Sequence, residues 1–114
     1  MARAAEALDR TFAALADPRR RRVVDRLRAG PRRAGELAAA EGLSAPAMSR
    51  HLRVLRLGGV IEEERADPAD SRVRLYRLRR QPFARLRGWL DDVEAGWSEQ
   101  LAAFKAHAEK GGRP

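Results

Sequence analysis

The chain contains no cysteine, which excludes disulfides, thiolate metal sites and cysteine nucleophiles together. Lysine is nearly missing too: only Lys105 and Lys110 are present, so almost all positive charge is arginine. No apolar run approaches the roughly 18 residues of a membrane span, and the N-terminal "MARAAEALDRTFAALAD" lacks the apolar block of a signal peptide. No membrane partner and a cytoplasmic location are therefore expected. A phosphate-cradling glycine loop and a catalytic pairing of carboxylates are also missing. His51 and His107 are the two histidines. Ser49 and His51 diverge on a helix, so they do not make a nucleophile and base, and His107 lacks neighbours at metal-ligand spacing. The expectation is a protein with no catalytic residues, no metal and no cofactor.

What the chain does have is local positive charge. Its 114 residues carry a formal net charge of +8, suited to a single domain that meets a polyanion. Between Pro18 and Arg80 there are 17 basic and 8 acidic residues, whereas residues 81–114 carry 5 of each. The anion-facing part is thus the middle of the chain.

Apolar periodicity divides that middle and its flanks. Ala5, Leu8, Phe12 and Leu15 recur at helical spacing over residues 4–15, and Asp17-Pro18 stops them. The proline opens a second helix capped by Asp17, with Val23, Val24 and Leu27 inward and Gly30-Pro31 at its end. "RRAGELAAAEGLS" predicts a helix of about two turns closed by Gly42. Ser44 then caps a fourth helix with Pro46 in its first turn. In "VIEEERADPADSRVRLYRL" the period changes to two, predicting antiparallel strands over 60–65 and 72–78 around the turn-forming "DPADS", with Tyr76 and Leu78 on the buried side. From Pro82 onward Phe83, Leu86, Leu90, Val93, Trp97, Leu101 and Phe104 step by three or four. So long an apolar stripe exceeds what a small helix cluster covers, which predicts self-association.

The third and fourth segments, joined by "EGLS", form a helix-turn-helix pair whose second helix suits a major groove. Met48, Leu52 and Leu55 make one face of that helix. The other is small and cationic: Ser44, Ala45, Pro46 and Ser49 approach bases or phosphates, with Arg50 and Arg53 as the stronger contacts, bidentate to guanine or gripping phosphate. Arg65, Arg72 and Arg74 surround the hairpin turn and reach toward the DNA backbone or a minor groove. Arg56, Arg77, Arg85 and Arg87 read as solvated surface. The cluster Arg19 to Arg22 fits two roles equally, phosphate contact or pairing with Asp17 and Asp25. His51 reads as a packed structural residue.

Taken in order, "FAALADPRRRRVVDRLRAG", "GELA", "LSAPAMSRHLRVLRLGGVI" and "VRLYRL" resemble the ArsR/SmtB family of winged helix-turn-helix repressors over roughly residues 7 to 105. The resemblance implies a mainly α fold with a small β-hairpin, one winged helix-turn-helix domain over 1–110. Residues 18–80 would bind DNA, 4–15 and 82–110 would be dimerisation helices, and 111–114 a disordered tail. It implies a homodimer joined through Leu8, Phe12, Leu86, Trp89, Leu90, Val93, Trp97, Leu101 and Phe104, presenting the fourth helix to an inverted-repeat operator in double-stranded DNA and repressing transcription. The family's sensing chemistry does not carry over. Ala38 and Ala40 stand where metal-responsive members place thiolates, and Asp92, Glu94 and Lys105 replace an Asp/His-rich motif on the last helix. The match is to members without the cysteine pair. An unknown small-molecule effector around Phe12, Trp89 and Trp97 is the lesser reading of those aromatics, dimer core the preferred one. A basic winged-helix module for RNA or protein assembly is the alternative function.

Overall fold

The computed structural model describes residues 2–111, in the order α1 (Ala2–Leu15), α2 (Pro18–Leu27), α3 (Ala34–Glu41), α4 (Ala45–Leu57), β1 (Ile61–Asp67), β2 (Asp70–Leu78) and α5 (Arg80–Gly111). Met1 and residues 112–114, most of the expected tail, lie outside the described residues. Gly111, assigned to that tail from sequence, is the last residue of α5.

The joint between α1 and α2 is built from side chains on backbone. Asp17 is extended, and its Oδ1 accepts from the amides of Arg19 at 2.7 Å and Arg20 at 3.4 Å, satisfying donors that the first turn of α2 cannot. Two arginines then turn back on the end of α1. Arg20 donates to the carbonyls of Ala14 (2.6 Å) and Ala13 (3.1 Å), and Arg21 to those of Leu15 (2.7 Å) and Ala16 (3.1 Å). Cationic donors on the negative end of a helix are stabilising on both counts, hydrogen bonding and dipole. Arg22 goes elsewhere: with Arg26 it binds Glu41 at the end of α3, at 2.7 and 2.6 Å, and the Glu41 side chain is only 3% exposed. Arg20, Arg21 and Arg22 thus have intramolecular roles; Arg20 also pairs with Asp17 at 3.8 Å, as expected of the cluster, whereas Asp25 pairs with Arg28 instead.

The predicted caps at Asp17, Gly42 and Ser44 hold, whereas α2 ends at Leu27, short of the expected Gly30-Pro31. Gly42 ends α3 in the left-handed conformation, φ 64°. The Ser44 hydroxyl accepts from the Ala47 amide at 3.2 Å. Met48, Leu52 and Leu55 are buried in a core shared with Val23, Leu27 and Leu37 from the preceding helices and Val60 and Ile61 from the start of the hairpin. At about 1.5–3 kcal/mol per fully buried side chain, these three contacts orient α4 firmly.

β1 and β2 pair antiparallel from Ile61 opposite Leu78 to Asp67 opposite Asp70. Both strands run further toward the turn than sequence predicts, because pairing resumes after an irregularity between Arg65 and Asp67. Only Pro68 and Ala69 remain as the loop, and Asp67 accepts from the Ala69 amide at 2.9 Å. Tyr76 and Leu78 pack on the core as expected. An unforeseen contact lies on the other edge of β2, where Arg32 and Tyr76 exchange backbone hydrogen bonds of 3.0 and 2.8 Å. A single paired residue has no period, so no sequence pattern announces it.

The chain packs as two units, divided between Phe83 and Ala84. Phe83, from the first turn of α5, packs on the core of the first unit. From Ala84 the second unit is helix throughout the described residues.

Candidate nucleic-acid interface

On α4 the buried stripe fixes what the opposite side can do. With Met48, Leu52 and Leu55 inward, Ala45, Pro46, Ser49, Arg50 and Arg53 are exposed together with the capping Ser44. The first turn is small and the next two carry guanidiniums. Among the described residues, neither the Arg50 nor the Arg53 side chain has an ion pair or hydrogen bond. Unpaired guanidiniums keep all five donors available for base edges or phosphate oxygens.

The hairpin differs. Arg65 is exposed and likewise without a side-chain partner among the described residues. Arg72, however, is gripped by Asp70 at 3.1 and 3.3 Å, and Arg74 donates to Glu63 at 3.1 Å. Glu63 also accepts from Arg56 at 2.9 Å, so Arg56 ties the last turn of α4 to the hairpin instead of standing free. Arg77 likewise pairs with Glu62 at 2.7 Å and Glu64 at 3.6 Å. Between Ile61 and Arg79 five arginines face five carboxylates, whereas residues 18–60 hold 11 basic and 3 acidic residues. The surplus charge therefore belongs to the helices and not to the hairpin.

The Arg32–Tyr76 bridge brings the start of α3 beside β2. Arg33, Gly35, Arg72, Arg74 and Tyr76 line an open groove there of about 300 Å³. Sequence reasoning did not single out Arg33. It occupies the cap position of α3 with no acceptor to offer; Glu36 instead accepts from its backbone amide at 3.4 Å. A cap site filled by arginine where Ser, Thr, Asp or Asn is usual was the signal available.

His51 is half-buried on α4. No cluster of three or more His, Cys, Asp or Glu side chains placed to hold a metal ion occurs among the described residues. No helix of the described residues is long and apolar enough to cross a membrane.

Of the residues expected in a dimer seam, Leu8 and Leu86 are half-buried, while Phe12, Trp89, Leu90, Val93, Trp97, Leu101 and Phe104 are exposed to between 40% and 72%. Leu90, Val93, Trp97, Leu101 and Phe104 keep helical spacing along α5, so one side of that helix is apolar and open to solvent.

A helix-turn-helix domain family matches residues 15–64. The HTH-type transcriptional regulator Rv2034 of Mycobacterium tuberculosis is 38% identical over 96 residues, 84% of this chain and 83% of that protein. The ArsR family transcriptional regulator RHA00566 has the same fold, with a TM-score of 0.73 and 33% identity over 82% of this chain and 92% of its own. The homodimeric winged helix-turn-helix DNA-binding domain Mb0332 of Mycobacterium bovis, a possible ArsR-family regulator, matches with a TM-score of 0.65 and 28% identity, covering 87% of this chain and 88% of its own. With the helix-turn-helix pair, the two-stranded wing and these relatives in view, the chain belongs to the ArsR family of winged helix-turn-helix transcriptional regulators.

Proposed function

We propose that the protein is a homodimeric, sequence-specific repressor acting in the cytoplasm, which seats α4 of each protomer in successive major grooves of an inverted-repeat operator. The observation that carries this reading is the far face of α4, where Arg50 and Arg53 lack internal partners above a first turn of small residues. The buried stripe beneath them holds the helix in place, so both side chains project from a fixed backbone on the same exposed face. The open apolar side of α5 supports the pairing: five large side chains left in water cost free energy that a second copy recovers. The homodimeric Mb0332 domain is a precedent for such an assembly. Without cysteine, any response to an inducer proceeds by something other than thiolate metal sensing.

Selection from random duplexes tests the proposal. Enriched sequences should be inverted repeats with half-site centres about 10–10.5 base pairs apart, or a multiple of that. The doubly substituted Arg50→Ala, Arg53→Ala protein should remain dimeric and lose the selected site. Each bidentate arginine contributes about 1–3 kcal/mol of discrimination. No enrichment, or full binding by the double variant, would remove the basis for the proposal.

A further inference from the structure

We infer that Glu63 is a positioning residue that sets how well the protein distinguishes its operator from other DNA. The inference rests on the DNA-binding reading above. Glu63 lies on β1 with its side chain 21% exposed, and one of its oxygens, Oε1, accepts from Nη1 of Arg56 at 2.9 Å and from Nη1 of Arg74 at 3.1 Å. It joins the end of α4 to the second strand of the wing through a single carboxylate. Tyr76 stands opposite it in the ladder.

Two consequences follow from that arrangement. The first concerns charge. Non-specific affinity for DNA grows with the number of phosphates a protein neutralises, and Glu63 offsets part of the wing's positive charge in advance. The second concerns direction. Arg74 spends one of five guanidinium donors on Glu63 and lines the groove beside Arg33 and Arg72. A phosphate entering there shares Arg74 with a carboxylate, and the repulsion between the two anions must be offset. On its operator, base contacts by α4 hold the backbone at the groove and offset it; on unrelated DNA nothing does. Glu63 therefore makes the wing contribute mainly after α4 has found its sequence.

Glu63→Gln keeps the size of the side chain and an acceptor oxygen but removes the charge. Wild type and variant are titrated against the selected operator and a scrambled duplex of equal length across a salt series. The variant should bind scrambled DNA roughly three- to tenfold more tightly at low salt, with a log–log salt slope steeper by about 0.9, the signature of one more neutralised phosphate. Its operator affinity should change much less. Glu62→Gln removes the same charge one residue away, where the partners are Arg77 at 2.7 Å and Arg79 at 4.0 Å, and should leave the ratio nearly unaltered. Adding Arg74→Gln to Glu63→Gln should cancel the gain. Should Glu63→Gln fail to fold, Arg74→Gln alone should weaken operator binding while sparing the scrambled duplex. An unchanged ratio and slope in Glu63→Gln, or an equal change in Glu62→Gln, overturns the inference. A wild type that prefers no duplex overturns the DNA reading and this inference with it.

Discussion

Gly58 passes so close to Ala14 that a β-carbon on it would lie 2.8 Å from the Ala14 β-carbon and 3.1 Å from the carbonyl oxygen of Arg10. The backbone at Gly58, φ −75° and ψ −2°, is open to any residue, so space and not conformation requires glycine there. This contact seats the end of α4 against α1. Gly58→Ala should therefore destabilise the fold by about 1–3 kcal/mol through overpacking, read as a lower urea midpoint at unchanged slope. A midpoint equal to wild type would mean that the two segments separate at little cost.

Glu41 predicts a pH dependence. Hydrogen bonds from Arg22 and Arg26 outweigh the cost of burial and hold its carboxyl below the ordinary value of 4.5. A carboxylate whose pKa is depressed by folding binds its proton more tightly in the unfolded chain. Its contribution is thus complete above about pH 4.5 and is lost as pH falls through the lower folded value. Glu41→Gln should lower stability at pH 7 by about 1–3 kcal/mol and flatten the acid limb of a stability–pH curve from denaturant melts. An acid limb as steep as that of wild type would assign it to other carboxylates.

The open side of α5 predicts the effect of charge on assembly. Val93 is 46% and Leu101 57% exposed in the single chain. Val93→Glu with Leu101→Glu should therefore cost the protomer little, within about 0.5 kcal/mol per site as for other surface changes. In a dimer seam the same two carboxylates would be buried without partners and strongly opposed. Sedimentation should show a folded monomer that has lost tight operator binding. A variant sedimenting as wild type does would place any seam elsewhere.

Much of this protein was legible from local chemistry. Asp17 and Ser44 cap because a short side-chain oxygen reaches an amide two or three residues on, and Pro18 and Pro46 mark first turns because those amides lack partners anyway. Met48, Leu52 and Leu55 declare one face of α4 by their spacing, and so by subtraction identify Arg50 and Arg53 as outward. The hairpin is visible in its period, though the period ends both strands short of the turn: the pairing that carries them to Asp67 and Asp70 lies across the ladder and not along the chain.

The arginines mark the limit. The spacing expects Arg72 and Arg74 among the DNA contacts and Arg56 on solvated surface; it does not disclose that Asp70 holds Arg72 or that Glu63 joins Arg74 to Arg56. Arg20 and Arg21, equally balanced between phosphate and aspartate, mainly serve the carbonyls at the end of α1. Chain spacing alone thus determined the helices, their caps, their inward faces and the net surplus of positive charge, since those depend on residues within a few positions of one another. Which guanidiniums are occupied and which remain open was decided only by the tertiary fold. Asp70 reaches Arg72 from two residues away, but Glu41 and Glu63 take arginines that only packing brings within about 4 Å, and the sequence around those arginines does not reveal such partners.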